Sequence, residues 1–202
     1  MEIGIMTTVQ ELLENPLVKE YPALYKCIKE LNLSIDIATL IDRPRDIQGE
    51  EIIPVLLIYD AELKSDIDSV KLANYLVDPA QLDLTSIREK LSLTIPEPAE
   101  ELKSFFLEDD KRNGDRERVI CCAVSYIDDG GSISELKLAL GGIGAMPLLL
   151  EEDWFGGKDE HNINRLQRKL DKIASEINLD WYRRDRIKIL AQSAILRAVS
   201  YN

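Results

Sequence analysis

The side chains that most often carry out chemistry in proteins are scarce in this sequence. The only histidine is His161, and the three cysteines are Cys27, Cys121 and Cys122. One histidine cannot form a multi-histidine zinc site. Adjacent residues of a strand point to opposite faces, so Cys121 and Cys122 do not easily share one metal ion. We therefore expect three reduced thiols, a surface histidine and no metal.

Sequence motifs for nucleophiles and bound phosphates are missing as well. There is no Gly-x-Ser-x-Gly, no P-loop and no Cys-x-x-Cys. The run Gly141-Gly142-Ile143-Gly144 is too degenerate for a dinucleotide fingerprint, and no βαβ unit follows it. The residue types thus give no sign of metal-based, nucleophilic or acid–base catalysis.

A β-hairpin is the most distinctive element that the sequence predicts. Residues 118–127 are apolar and β-branched, which predicts a strand, and leucines alternate with other residues over 136–140, which predicts a second strand with one buried face. Between them, Asp129-Gly130-Gly131 offers the positive φ angles of a tight turn. The second strand ends in Gly141-Gly142, where the backbone can turn sharply or lie close against another group.

The first half of the chain reads as short strands and helices. Residues 1–6 predict a strand, and Thr8-Val9-Gln10-Glu11 is a capping box that starts a helix ending near residue 15. Pro22 suits the first turn of the next helix. Residues 69–76 read as a short strand and a turn, and residues 90–96 as an alternating strand. The Pro- and Glu-rich run 96–101 is the candidate boundary between domains 1–96 and 97–202.

The second half continues with a strand at residues 102–107, the hairpin, and a loop or short helix at 151–158. Apolar stripes then predict two closing helices, one from about residue 162 and one after residue 180. Tyr182-Arg183-Arg184 before the last helix reads as a structural ion-pair site.

Composition limits the class of protein. Of the 202 residues, 45% are apolar and 31% are charged, which is typical of a globular chain. The formal net charge of −12 disfavours nucleic acid and anionic membranes as partners. No apolar run reaches the roughly 20 residues of a membrane helix, and residues 1–6 do not resemble a signal peptide. We therefore expect a cytoplasmic location.

Two stretches carry a resemblance to a known family. The run SYIDDGGSISELKLALGGIGAMPLLL resembles the C-terminal domain of the FAD-binding, medium subunit of molybdenum hydroxylases, the carbon monoxide and xanthine dehydrogenases. The run IGIMTTVQELLENPLVKEYPALYKCIKEL resembles the start of the second FAD-binding subdomain of that subunit. The resemblance extends from Ile3 to the end of the chain. It implies an α+β fold, with an N-terminal mixed subdomain and a C-terminal antiparallel sheet packed on helices.

The resemblance also implies a function and a site. In that family FAD passes electrons between iron–sulfur centres of a partner and an acceptor such as NAD or quinone, and the protein places and tunes the cofactor. The positions expected to contact the flavin are Thr7, Thr8, Thr39, Leu40, Ile41, Asp42, Glu51, Leu140, Gly141 and Gly142. For Glu51, the alternative is an acid at the first turn of a helix, where the helix dipole favours it.

The sequence departs from the family where the cofactor phosphates would bind. The family has Gly-Gly-Asn at the positions of Ile41, Asp42 and Arg43. A β-branched side chain blocks the approach of a phosphate. Asp42 would also repel it, since two like charges 4 Å apart repel by about 1 kcal/mol in water and about 4 kcal/mol at an effective dielectric constant of 20. The first FAD subdomain of the family also has no counterpart in the sequence. We therefore expect FAD binding to be weak or lost.

Several functional readings remain open at this stage. The chain is a truncated, degenerate homologue of the electron-transfer subunit, a working FAD-binding subunit completed by another chain, or a non-catalytic scaffold. The expected partners are molybdopterin and iron–sulfur subunits, a separate N-terminal flavin fragment, or a second copy of the chain. The face left without the first subdomain should be covered by a second copy or made polar, and Asp42, Arg43, Arg45 and Asp46 favour the polar alternative.

Overall fold

The computed structural model describes residues 1–31, 33–42, 49–82, 90–109, 119–128, 133–144, 146–152, 160–176 and 179–200. Short helices surround a first sheet, and two long helices follow a second sheet. The elements are β1 (Glu2–Gly4), α1 (Val9–Glu14), α2 (Pro22–Leu31), α3 (Ile37–Asp42), α4 (Ile52–Ile58), β2 (Glu62–Lys64), β3 (Ser69–Lys71), α5 (Leu72–Val77), β4 (Ser92–Thr94), β5 (Leu102–Glu108), β6 (Cys121–Asp128), β7 (Ile133–Gly141), β8 (Leu148–Glu152), α6 (Glu160–Glu176) and α7 (Trp181–Ser200). Two 3₁₀ turns lie at Pro16–Glu20 and Pro79–Gln81. The predicted α+β fold is confirmed.

The first sheet is antiparallel, with strand order β1-β4-β2-β3. Leu93 of β4 pairs with Ile3 on one side and Leu63 on the other, and all three side chains are buried. Residues 72–77, which the sequence predicted as part of a strand and turn, form helix α5 instead. The prediction missed that Leu72, Tyr75 and Leu76 follow a helical spacing and are all buried.

The second sheet contains the predicted hairpin and has strand order β5-β6-β7-β8. Cys122 pairs with Leu140 and Val124 with Leu138, with a register shift between Ser125 and Ile127. The Asp-Gly-Gly turn at 129–132 lies outside the described residues. Residues 151 and 152 belong to strand β8, so the loop or helix predicted there is wrong at those two positions. The pairing of β8 with β7 creates this strand, and pairing partners cannot be read from local sequence.

The two predicted C-terminal helices are confirmed as α6 and α7. Helix α7 buries Ile187, Leu190, Ala191 and Ala194 against strands β5 and β6. The side chain of His161 lies outside the described residues. The ion-pair site predicted at Tyr182-Arg183-Arg184 is present only in part: Arg183 Nε pairs with Asp180 Oδ2 at 3.6 Å, and Tyr182 Oη donates to Asp109 Oδ2 at 3.2 Å. Asp109 forms its ion pair with Arg186, which the prediction did not include, and Arg184 Nε has no hydrogen-bond partner among the described residues.

The two sheets share a core, and residues 96–101 lie between β4 of the first sheet and β5 of the second. Phe106 of β5 and Ala123 of β6 belong to the same buried cluster as helices α2 and α4. Polar contacts cross the same boundary: Tyr59 Oη and Ser104 Oγ lie 2.5 Å apart, and Ser125 Oγ donates to the Ile58 carbonyl at 2.9 Å. The division into domains 1–96 and 97–202 stays a prediction.

We expect the three cysteines to be unreactive in the folded protein. Cys27, Cys121 and Cys122 are free thiols and fully buried, and burial raises the pKa of each thiol above its ordinary value. Thiolates are the reactive form. At mildly alkaline pH, an aromatic disulfide reagent should therefore modify no cysteine until denaturant is added, and then all three. Rapid modification of any one in buffer would contradict the described packing.

Candidate functional site

The predicted cofactor residues fall into two clusters, and the first lies where the turn after β1 meets the start of α3. Backbone hydrogen bonds join the two segments: Ala38 N donates to Ile5 O at 2.8 Å and Ile37 N donates to Thr7 O at 3.1 Å. Thr8 forms a bridge with Asp36. The structure therefore brings Thr7, Thr8 and the first turn of α3 together, as a common site would require.

Thr8 is fully used as the cap of α1. Its Oγ1 accepts from Glu11 N at 3.1 Å and donates to Glu11 Oε2 at 2.9 Å, while Thr8 N donates to the same carboxylate oxygen at 2.8 Å. This confirms the predicted capping box. Two hydrogen bonds lower the pKa of the Glu11 carboxyl: the one from the Thr8 backbone N–H has the larger effect, and the one from the Thr8 hydroxyl the smaller. Glu11 is therefore a negative charge at neutral pH on this turn.

We expect the Thr8→Ala variant to lose about 1 kcal/mol of stability at neutral pH, because the cap of α1 is removed. Thr8→Ser keeps the hydroxyl and is the matched control. The folded-state pKa of Glu11 is lowered, so its part of the cap is present above the ordinary value of 4.5 and is lost as the pH falls through the lowered value. Urea unfolding at several pH values measures both effects. An Ala variant as stable as the Ser variant at neutral pH would contradict the capping role.

Both polar donors of Thr39, its backbone N–H and its hydroxyl, hydrogen-bond to Asp36. Asp36 Oδ1 accepts from Thr39 N at 2.7 Å, and Asp36 Oδ2 accepts from Thr39 Oγ1 at 3.0 Å. The sequence analysis did not single out Asp36. An aspartate three residues before a threonine is a helix-capping signal that could have identified it. The Asp36 carboxylate, rather than a ligand, satisfies the start of α3.

The positions that are glycine in the resembling family form the last turn of helix α3. Ile41 is 2% exposed and fills the core, as does Leu40 at 1%, whereas Asp42 is exposed. Amides within a helix point along its axis to earlier carbonyls and not outward. Ile41 is therefore a core residue at the end of α3, and Asp42 beside it meets solvent. Arg43, Arg45 and Asp46 lie outside the described residues.

The second cluster lies around the start of helix α4. Glu51 precedes α4, is 2% exposed, and accepts a hydrogen bond from Gly49 N at 3.0 Å through Oε2. Gly49 has φ = 111°, and a Cβ there would stand 2.8 Å from Leu33 Cδ1 and 3.0 Å from Leu40 Cδ2. Glu51 thus stabilises the tight turn that packs Gly49 onto α3, which links the two clusters through Leu40.

The glycines that end β7 lie against the protein's own chain. A Cβ on Gly141 would stand 2.7 Å from Cys121 Sγ and 2.8 Å from Pro54 Cγ, and a Cβ on Gly142 would stand 2.1 Å from Val119 O. The close approach that the sequence predicted for this pair is therefore confirmed. The group approached is the backbone before β6 and the first turn of α4. Leu140 is 1% exposed, so it too packs inward.

A small cavity lies between α4 and the segment after β7. Its volume is about 240 Å³, its open mouth included. Its walls are formed by Glu50, Ile53, Gly141, Gly142, Gly144, Met146 and Pro147. Because that figure counts solvent at the mouth, the enclosed space is well below the roughly 300 to 1,000 Å³ of pockets that hold drug-sized ligands.

Metal-binding clusters and membrane-spanning helices are absent from the described ranges. No group of three or more His, Cys, Asp or Glu side chains there could hold a metal ion. None of the helices in those ranges has the length and apolar character needed to cross a membrane. What the described residues offer is two polar turns, both engaged in internal hydrogen bonds.

No family model matches this chain, and no curated protein sequence matches it. Solved structures with a similar fold do exist. Carbon monoxide dehydrogenase from Oligotropha carboxidovorans aligns with 98% of this chain and 74% of its own, with a TM-score of 0.72 and 16% identity. Carbon monoxide dehydrogenase from Hydrogenophaga pseudoflava aligns with 96% and 73%, with a TM-score of 0.70 and 16% identity. Quinoline 2-oxidoreductase from Pseudomonas putida 86 aligns with 98% and 74%, with a TM-score of 0.68 and 20% identity.

These similarities confirm the predicted resemblance to molybdenum hydroxylases at the level of the fold. Nearly the whole chain aligns, so both sheets and their order are shared. At 16 to 20% identity the alignment does not carry over any residue's role.

Proposed function

We propose that this chain serves as a subunit of an oxidoreductase complex of the molybdenum-hydroxylase type, and that its 202 residues do not hold FAD by themselves. The alignment of 96 to 98% of the chain with subunits of such enzymes carries the first part. The proposed partners are molybdopterin and iron–sulfur subunits, and the proposed location is the cytoplasm. Electron transfer through FAD belongs to the second candidate below, in which another polypeptide completes the cofactor site.

The candidate cofactor-binding side chains already form hydrogen bonds within the chain, which supports the proposal that these residues do not hold FAD. The hydroxyls of Thr8 and Thr39 hydrogen-bond to Glu11 and Asp36, and the Glu51 carboxylate accepts from Gly49 N. Leu40, Ile41 and Leu140 are buried. A cofactor at this surface would have to break those hydrogen bonds or unpack those side chains, and either change costs free energy that binding must supply.

The charge on this surface opposes a pyrophosphate as well. The carboxylates of Glu11, Asp36 and Asp42 lie on or beside the segments that join at the first cluster. Each of these carboxylates repels a phosphate oxygen that comes close to it, and this repulsion lowers the affinity for a pyrophosphate. Micromolar affinity requires about 8 kcal/mol of net binding free energy, which a small cavity and an acidic surface do not provide.

Flavin fluorescence tests the proposal directly. We expect the purified chain to be colourless, and FAD fluorescence to show no saturable quenching as protein is added into the micromolar range. FMN and riboflavin are the matched ligands, because they keep the isoalloxazine ring without the pyrophosphate and adenosine. Stoichiometric quenching of FAD at a few micromolar would overturn the proposal that these residues do not hold FAD.

Restoring the family's glycines should not restore binding. The double variant Ile41→Gly and Asp42→Gly is expected to lose stability instead, because glycine costs about 1 kcal/mol within a helix and the buried Ile41 side chain about 2 to 5 kcal/mol. Asp42→Asn is the milder control, since it removes the charge and leaves Ile41 in the core. A folded double variant that binds FAD at micromolar affinity would show that positions 41 and 42 alone block the site.

A second candidate is a working FAD-binding subunit whose other cofactor wall comes from another polypeptide. The observation in its favour is that about a quarter of each similar enzyme chain, which the alignment covers to 73 or 74%, has no counterpart in these 202 residues. Co-expression with the genes that flank the source gene distinguishes the candidates. A yellow complex that contains this chain would favour the second candidate, whereas a colourless complex would favour the first or a scaffold.

A further inference from the structure

The outer face of helix α7 is an apolar stripe on an otherwise acidic protein. Trp181, Tyr182, Ile189 and Leu196 are 78, 46, 49 and 42% exposed. At 3.6 residues per turn they fall within an arc of about 100° on the side opposite Ile187 and Leu190, over a length of about 22 Å. Half of the eight exposed large apolar side chains in the described ranges therefore lie on one helix face.

The first residues of the stripe are aromatic. The Trp181 and Tyr182 rings meet edge to face, with centroids 6.0 Å apart and an interplanar angle of 84°. Tyr182 donates a hydrogen bond to Asp109, which the Arg186 guanidinium also binds. Trp181 therefore projects into solvent beside a ring that is hydrogen-bonded in place, and Trp and Tyr are typical anchors of protein interfaces.

The helices around the stripe are basic. Residues 160–200 contain nine Lys and Arg against five Asp and Glu, a net charge of +4, so the rest of the chain carries −16. Arg184 and Lys188 follow one border of the stripe one turn apart. Lys188 pairs with Asp171, whereas Arg184 Nε is buried and finds no acceptor among the described residues. One exposed acid, Asp185, lies within the stripe.

A surface of the opposite kind lies on the first sheet. The turn between β2 and β3 is ordered by Ser65: its N donates to Asp68 O at 2.7 Å, and its Oγ accepts from Asp68 N at 3.0 Å. This turn presents Ile67, which is 91% exposed, between the exposed residues Asp66 and Asp68. It is an apolar tip framed by two carboxylates, the chemical complement of an apolar stripe bordered by Arg and Lys.

We propose that the turn at residues 65–68 of one copy binds the outer face of α7 of a second copy. Ile67 packs against the Trp181 ring, and the carboxylates of Asp66 and Asp68 face Arg184 and Lys188. The exposed Asp185, one turn from both Trp181 and Ile189, keeps the acidic turn on the Arg184 and Lys188 border of the stripe. The two surfaces differ, but each copy offers both. A two-fold axis that sets the turn of each copy on the α7 of the other therefore gives an isologous contact and closes a dimer. Charge complementarity of this kind sets the orientation and speeds association. The proposal is independent of whether the chain holds FAD.

The self-association of the full chain, measured by sedimentation velocity at several protein and salt concentrations, tests this contact. We expect a dimer that weakens as salt is raised, and a dissociation constant about tenfold or more higher in each of the variants Trp181→Ser and Ile67→Ser. Val77→Ser is the matched control, because Val77 is 87% exposed and lies outside both surfaces. All three sites are exposed, and far-UV circular dichroism verifies that each variant is folded.

Mixing the two variants separates this contact from an α7-to-α7 dimer. A mixture of Trp181→Ser with Ile67→Ser keeps one intact turn and one intact α7, so it should associate more strongly than either variant alone. A wild-type chain that stays monomeric throughout the micromolar range would overturn the proposal. So would an Ile67→Ser variant that dimerises like the wild type, or a mixture no stronger than its components.

Discussion

The Gly142→Ala variant is expected to lose about 2 to 5 kcal/mol of stability. Gly142 has φ = 72°, where a side chain costs about 1 to 2 kcal/mol. The added Cβ would stand 2.1 Å from Val119 O, and a backbone atom cannot move aside as a flexible side chain can. Overpacking adds about 1 to 3 kcal/mol. Denaturant unfolding followed by far-UV circular dichroism measures the loss.

Gly144→Ala is the matched control for this prediction. Gly144 lies two residues further along the same segment and is exposed, its φ is ordinary, and the nearest atom to an added Cβ is Met146 O at 3.9 Å. We expect it to change the stability by no more than about 0.5 kcal/mol. Equal changes in stability in the two variants would contradict the prediction, because they would show that the approach to Val119 does not decide the effect of a Cβ in this segment.

The Phe106→Ala variant is expected to lose about 3 to 5 kcal/mol, because a fully buried phenyl ring is removed from the core that both sheets share. Phe106 belongs to the second sheet but packs with the helices of the first half. Phe105, its neighbour on β5, is half-buried on the opposite face and stacks on Tyr126 with centroids 6.4 Å apart. Phe105→Ala is therefore the control, with a smaller expected loss.

The shared core also predicts how the protein unfolds. Both tryptophans lie in the second half of the chain, so tryptophan fluorescence reports that half, whereas far-UV circular dichroism reports all helices and sheets. In the wild type and in Phe106→Ala, the two signals should change at the same denaturant concentration. Two separated midpoints would show that residues 1–96 and 97–202 fold as independent domains.

Patterns with a local cause could be predicted from the sequence. The hairpin of β6 and β7 follows from alternating apolar residues around a glycine turn, and the cap of α1 follows from Thr8 and Glu11 three residues apart. The crowding at Gly141 and Gly142 was also expected from the glycines themselves. In each case the physical cause lies within a few residues of the chain.

Features that depend on distant partners could not be predicted. Strand β8 exists because residues 148–152 pair with β7, and the core role of Ile41 depends on how α3 packs against the rest of the first half. The family resemblance implied a phosphate-facing position for Ile41, where a β-branched residue is an obstruction. The fold buries that side chain, whereas the neighbouring Asp42 faces solvent at the end of α3.

The central claim is that the candidate cofactor residues are already engaged within the chain, and hydrogen–deuterium exchange tests it most directly. Amide exchange would be measured by mass spectrometry for the free protein and in millimolar FAD. The account predicts unchanged exchange in the peptides that cover residues 5–9, 36–42, 49–53 and 140–142. Protection of residues 36–42 together with 5–9, dependent on FAD and absent with riboflavin, would contradict it, because that pattern requires a pyrophosphate bound at the turn between β1 and α3.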